Sequence, residues 1–275
     1  DPTYPNIYSS DHLNNGAGSP VSLNCVDSTG GGTARMVSME DVPNPDGVSA
    51  NVDAILLVCG VNVAQTDVII HKPVLDSNRF LGAGAATTLT LLTADVSKAH
   101  VTLTNDLQYA YANVVYYDGS TYRSSTFKID PVNMTVVTQI DRDWNTEDCI
   151  WEITYDAFQN CLICSTIGNY NNVIYKVAAL DLGDLATFYN TFTVLETTGG
   201  PHPVPVGNLY GLVSDGGGNF YGVASNGELK GFNIDRQFVI IEGSTWSIPS
   251  WDTDGANISY LSRLGPMYIA FDWLY

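Results

Sequence analysis

The chain has 275 residues, 45% of them hydrophobic, with 16 Tyr and 25 Gly: enough apolar material for a packed core and enough glycine for many turns. Its 11 basic residues stand against 29 acidic ones, a formal charge of −18, and simple repulsion excludes nucleic-acid phosphate and anionic lipid surfaces as partners. No apolar run approaches the ~20 residues that cross a bilayer as a helix, so no membrane insertion is expected.

Residues 1–18 (DPTYPNIYSSDHLNNGAG) carry turn formers throughout and no sustained alternation, and read as an extended leader to a single domain over residues 19–275. The first residue is Asp1, and no basic stretch followed by an apolar one is present, as expected of a processed, secreted protein. Residues 19–27 (SPVSLNCVD) and 34–40 (ARMVSME) are strand-like and flank a loop containing STGGG, which makes half of a four-stranded unit. Complete units follow over residues 47–92, 100–140, 149–196 and 209–243, each with four short runs rich in aromatic and β-branched residues. In the last of these the turn signals DGGG, NGE and DRQ separate the runs. Residues 258–263 (ISYLSR) and 267–275 (MYIAFDWLY), split by Leu264-Gly265-Pro266, supply another half unit.

An aspartate ends the third run of every unit, at Asp27, Asp76, Asp130, Asp181 and Asp235, with spacings of 49, 54, 51 and 54. Others end the first run, at Asp53, Asp106, Asp156 and Asp215. A carboxylate at such a place accepts backbone N–H groups two residues on and tightens the reversal, so these aspartates are assigned to turns. A repeat of this length signals identical supersecondary units stacked or set in a ring. The expected fold is all-β: a five-bladed β-propeller of four-stranded antiparallel blades, closed by N-terminal strands (about 19–40) that complete the C-terminal blade (about 258–275).

In that architecture the connections between units share one end with the turns between second and third strands, and those connections are unusual here. They read DRDWNTEDC, TTGGPHPVPVGN and GSTWSIPSWDTDGAN, and hold Trp144, Trp246, Trp251 and His202, the candidates for ligand binding. An indole face beside carboxylates and amides suits a sugar, whose C–H face stacks while its hydroxyls find polar partners. Asp141, Asp143, Asn145 and Glu147 occupy alternate positions, with Glu152 eleven residues after Asp141, an oxygen-rich pattern that makes calcium the candidate cofactor. The likeness to a calcium-binding loop is incomplete, because Thr146 stands where a sharp-turn glycine is needed. Asp252, Asp254 and Asn257 form a second candidate set.

No cofactor is required by any motif. A glycoside hydrolase needs carboxyl groups facing one another across the substrate, and only Glu152 lies inside a predicted first strand, with Asp148 and Asp254 near other entrances. His12, His71, His100 and His202 have no zinc spacing, and no nucleophile elbow or phosphate-binding loop is present. Five cysteines cannot all pair within one chain, and Cys161 and Cys164 point to opposite faces of one predicted strand. Asn133-Met134-Thr135 and Asn257-Ile258-Ser259 fit the N-glycosylation pattern. The expected function is therefore non-catalytic: an extracellular structural or interaction subunit that binds copies of itself or other proteins, with a carbohydrate-binding propeller using the Trp-rich loops as the alternative and a glycoside hydrolase as the third reading.

Overall fold

The structure is a computed structural model, and it describes residues 6–7, 10–11, 16–17, 21–22, 35–42, 55–61, 67–74, 86–104, 106–147, 149–167, 175–194, 209–214, 219–224, 228–234, 240–247, 262–263 and 269–270. Every described regular element is a β-strand, and all the pairings are antiparallel. Four sheets of four strands follow one another as simple meanders. Sheet one consists of Arg35–Val42, Ile55–Val61, Asp67–Lys72 and Thr87–Thr93; sheet two of Asp95–Leu103, Ala110–Tyr117, Tyr122–Asp130 and Thr135–Asp143. Sheet three consists of Cys149–Asp156, Cys161–Ile167, Tyr175–Leu180 and Phe188–Val194; sheet four of Leu209–Ser214, Asn219–Ala224, Glu228–Ile234 and Ile240–Ser247. Two-residue strands pair Asn6–Ile7 with Val21–Ser22, Ser10–Asp11 with Gly16–Ala17, and Ser262–Arg263 with Ile269–Ala270.

The sheets are copies of one another down to their irregularities. Each carries a bulge near the start of its first strand, at Val37, Ser97, Trp151 and Tyr210, and a register shift between its third and fourth strands. A bulge adds twist and re-aims the side chains beyond it, so every first strand departs from its neighbour in the same way. The turn aspartates behave as their chemistry predicts. Asp106 accepts the N–H of Gln108, Asp130 those of Val132 and Asn133, Asp156 that of Gln159, and Asp181 those of Gly183 and Asp184. Asp27, Asp53, Asp76, Asp215 and Asp235 lie outside the described residues. Leu107, Met134 and Leu185 adopt positive φ in these turns, which costs an L-residue about 1–2 kcal/mol. Each of them packs into or against the inter-sheet core, which offsets the cost.

First strands lie side by side, sheet one against two, two against three, and three against four. Between sheets one and two the filling is apolar: Leu57, Cys59, Val68 and Ile70 meet Val101, Val114, Phe127 and Ile129, all fully buried. Full burial of side chains this size contributes about 1.5–3 kcal/mol each. Between sheets two and three Tyr111 packs with Ile150, Ile153 and Leu162, and polar side chains are interleaved with them.

Three expectations are corrected. Residues 34–40 do not join a split blade, because Arg35–Val42 pairs with Ile55–Val61 as the first strand of sheet one. Seven residue pairings with an apolar second strand secure it there, and residues 47–53, expected in that place, lie outside the described residues. Trp246 is not in a connection but in the fourth strand of sheet four, opposite Leu229. Asp141 and Asp143 likewise belong to the fourth strand of sheet two, opposite Ser125 and Arg123.

Candidate functional site

One end of sheet two gathers three aromatic rings. The hairpin between its second and third strands sets Tyr117 directly opposite Tyr122, so both rings stand on one face, and Trp144, just past the fourth strand, continues the row through its N–H to the Tyr122 carbonyl (3.2 Å). Ring centroids are 5.5 Å apart for Tyr117 and Tyr122 and 5.9 Å for Tyr122 and Trp144, tilted by 59° and 50°. Tyr117 is 38% and Tyr122 43% exposed, while Trp144 is half-buried. Exposed Asp95 lies opposite Tyr117 on the neighbouring strand and so shares the face of the rings.

The backbone under this row is fixed by its carboxylates. Asp118 Oδ1 accepts the N–H groups of Ser120 and Thr121 (both 2.9 Å) and the Ser120 hydroxyl (2.7 Å), and Asp118 Oδ2 takes Arg123 Nε. The Arg123 guanidinium, followed by these hydrogen bonds, holds the Asp118 carboxyl well below the usual range. Arg123 also reaches Asp143 Oδ2 at 3.2 Å. Asp143 Oδ1 accepts the N–H of Asn145, and Asn145 Nδ2 donates to Thr121 Oγ1 at 2.8 Å, tying the segment after the fourth strand to the hairpin.

Farther along the same face of sheet two the side chains are polar but buried. Lys98 and His100, on the first strand, converge on Glu152 from the first strand of sheet three, and all three are at most 5% exposed. Lys98 Nζ pairs with Glu152 Oε1, and His100 Nδ1 lies 2.7 Å from Glu152 Oε2, off the line of a directed hydrogen bond. Lys98 also sits 5.7 Å from the Trp151 ring. Burial pushes the Lys98 pKa down, and the Glu152 charge opposes that shift. Nearby, Asn113 Nδ2 donates to the Ile150 carbonyl (2.9 Å) and its Oδ1 accepts from Thr126 Oγ1 (3.0 Å). The Tyr155 N–H donates to Thr102 Oγ1 and the Ser214 N–H to Thr154 Oγ1, both at 3.0 Å, the same bond repeated from sheet two to three and from three to four.

All five basic residues with described side chains are engaged. Lys72 reaches from sheet one to the carbonyls of Pro131 and Val132 in sheet two, Lys128 from sheet two to the Leu182 carbonyl in sheet three, and Arg142 to that of Leu185. Lys98 and Arg123 form the ion pairs above.

Of the residues singled out in the sequence, the structure brings only some together. Asp143 and Asn145 share the hairpin network with Trp144; Asp141 accepts from Ser125 Oγ (2.5 Å) and Gln139 Nε2 (2.8 Å); Glu147 is exposed beside Asp143; and Glu152 is buried with Lys98 and His100. Those carboxylates do not converge, and among the described residues no group of three or more His, Cys, Asp or Glu could hold a metal ion. His202, Trp251, Asp148, Asp252, Asp254 and Asn257, and the side chain of Trp246, lie outside the described residues. Cys59, Cys149 and Cys161 are buried free thiols, Cys164 is buried with its thiol directed at the Ala178 carbonyl, and burial pushes Cys149 up to about 11. The partnership of Tyr117 and Tyr122 with Trp144 was missed in the sequence, although the Asp118-Gly119 turn signal between the two tyrosines carries it.

The sequence matches no family model and no curated protein. Among solved structures it is similar to hydrazine synthase of Kuenenia stuttgartiensis, at 12% identity and TM-score 0.45, covering 95% of this chain and 84% of that one. It is similar to a periplasmic gluconolactonase of Pseudomonas aeruginosa at 16% identity and TM-score 0.45, covering 79% of this chain but only 55% of the lactonase, about half its length. A third likeness is to the β-propeller domain of Cps50 (Swd1) from Myceliophteria thermophila, at 8% identity and TM-score 0.36, covering 77% and 75%.

Proposed function

We propose that the chain is a secreted, non-catalytic β-propeller of five blades that acts by binding, with the ring-bearing end of sheet two as its contact surface. The five-blade reading is supported by the strand Ser262–Arg263, which touches the first strands of both sheet four and sheet one, where the first strand of a fifth blade belongs. The binding reading is carried by one observation: Tyr117 and Tyr122 hold their rings open to solvent in a row with Trp144 on a rigid hairpin. Against catalysis stands the state of Glu152, the carboxylate best placed for it by sequence, which is fully buried and neutralised by Lys98. In a secreted protein Asn133, exposed on its turn, is a glycan site, as is Asn257, which lies outside the described residues.

The test is a panel of immobilised polysaccharides and extracellular proteins probed with wild type and with Tyr122→Ala/Trp144→Ala. At least one binder should be lost in the double variant while its circular dichroism is unchanged. Binding that is indifferent to both rings would refute the assigned surface.

Self-assembly has its own support in the outer strands. Thr87–Thr93 (TTLTLLT) and Phe188–Val194 (FYNTFTV) contain no charged residue in a chain of −18, and natural sheet edges are usually guarded by charge. Size-exclusion chromatography in rising salt, which screens the repulsion between copies, should then show larger species. A monomer at every ionic strength counts against it.

A further inference from the structure

We propose that the aromatic row of sheet two takes a cationic side chain, the guanidinium of an arginine-bearing peptide on an extracellular partner; this deepens the binding reading above and rests on it. The row offers π faces and acceptors, and the donors it brings are the two phenolic hydroxyls, which accept as well as donate. The other donors around it turn inward: Arg123 Nε and Nη2 to Asp118 and Asp143, the Ser120 hydroxyl to Asp118, and Asn145 Nδ2 to Thr121. The indole N–H of Trp144 is buried without a hydrogen-bond partner among the described residues, so this ring shows carbon to the outside. A sugar hydroxyl needs both donors and acceptors, whereas a guanidinium needs only acceptors and ring faces.

Charge points the same way. Asp95 stands on the ring face, exposed, and Asp118, Asp143 and Glu147 crowd the turns at the same end of the sheet, against the single guanidinium of Arg123. The other described Lys and Arg side chains of this face are engaged: buried Lys98 with Glu152, buried Arg142 with the Leu185 carbonyl, and Lys128 with the Leu182 carbonyl. An approaching cation therefore meets four carboxylates, two of them shared with Arg123, and no free positive group among the described residues at this end, within a chain whose formal charge is −18. A planar guanidinium stacks on tyrosine and tryptophan faces better than a compact, strongly hydrated ammonium does, which favours arginine over lysine.

The experiment measures binding of octa-arginine, octa-lysine, octa-citrulline and cellohexaose to the full chain by calorimetry at low and physiological salt. Charge-neutral variants are compared: Tyr117→Leu/Tyr122→Leu, and the same pair with Trp144→Leu. The expected order is arginine tighter than lysine, with no binding of citrulline or cellohexaose, and the tyrosine pair should weaken arginine about fivefold to thirtyfold at unchanged net charge. Both tyrosines are surface residues outside the buried core, so this pair decides the question even if the Trp144 variant fails to fold. Equal arginine affinity in wild type and the tyrosine pair would mean attraction by net charge alone and overturns the proposal. Cellohexaose binding that depends on the rings, with arginine silent, overturns it while leaving the binding surface intact. Silence of all four probes also overturns it, and the protein panel then decides separately whether the surface binds anything.

Discussion

Sheet two presents two faces built on different physics. Toward sheet one it shows Val101, Val114, Phe127 and Ile129, a dry contact that non-directional burial holds together. Toward sheet three it shows Lys98, His100, Thr102 and Asn113, each with a specific partner across the gap, and Thr126, which holds Asn113 in place within the sheet. The first kind tolerates changes of shape poorly but has no electrostatic preference. The second fixes register, because a slip of one residue would strand Glu152, Asn113 and the Tyr155 N–H without partners. The exposed rings lie on the polar side, at the end where this face leaves its neighbour and meets solvent.

Substitutions on the two faces should fail differently. Phe127→Ala, on the apolar side, empties a fully buried site and should cost about 3–5 kcal/mol in urea denaturation, with no rescue from a second polar change. Glu152→Ala should cost a similar amount, about 3–5 kcal/mol, because it removes the carboxylate that balances the buried charge of Lys98. That loss is curable: adding Lys98→Met and His100→Leu removes the stranded groups, and stability should return to near the wild-type level. A triple variant as unstable as the single one would show that the cluster does more than neutralise itself.

Smaller effects sharpen the contrast. Thr102→Val deprives the Tyr155 N–H of its acceptor and should cost about 1–3 kcal/mol, visible as faster amide exchange at Tyr155. In sheet one, His71 is fully buried, neither ring nitrogen has a hydrogen-bond partner among the described residues, and burial lowers its pKa to about 4. The unfolded chain then binds the extra proton first, so wild-type melting temperature should fall as pH drops from about 6.5 to about 4. His71→Leu should flatten that window; an unchanged slope would place the titration elsewhere. Arg123→Ala, at the exposed hairpin, should leave the melting temperature unresolved from wild type.

The strands were legible where burial imposes a period and turns carry chemistry. Cys149–Asp156 and the run ending at Asp130 could be placed from the sequence because hydrophobic runs stop at aspartates that cap the turns. Outer strands were harder: Thr135–Asp143 faces solvent along most of its length, so no alternation marks its end, and Asp141 and Asp143 passed for loop residues. The partner of Arg35–Val42 was illegible for another reason, since strand pairing is non-local and local propensity says nothing about it. The ion cluster left one trace, a lysine and a glutamate in successive first strands, Lys98 and Glu152, 54 residues apart, the spacing of the repeat itself. The ring row needed the hairpin register, which turned separate tyrosines into a surface with Trp144.

Buried Glu152 is a counter-ion to Lys98, and the proposed binding function resides in the exposed rings. The direct test compares binding to the extracellular panel by Lys98→Met/His100→Leu/Glu152→Leu and by Tyr122→Leu/Trp144→Leu, each first shown to be folded. Full binding by the first and loss by the second is the predicted result; loss by the folded triple variant with binding kept by the ring variant would contradict the account.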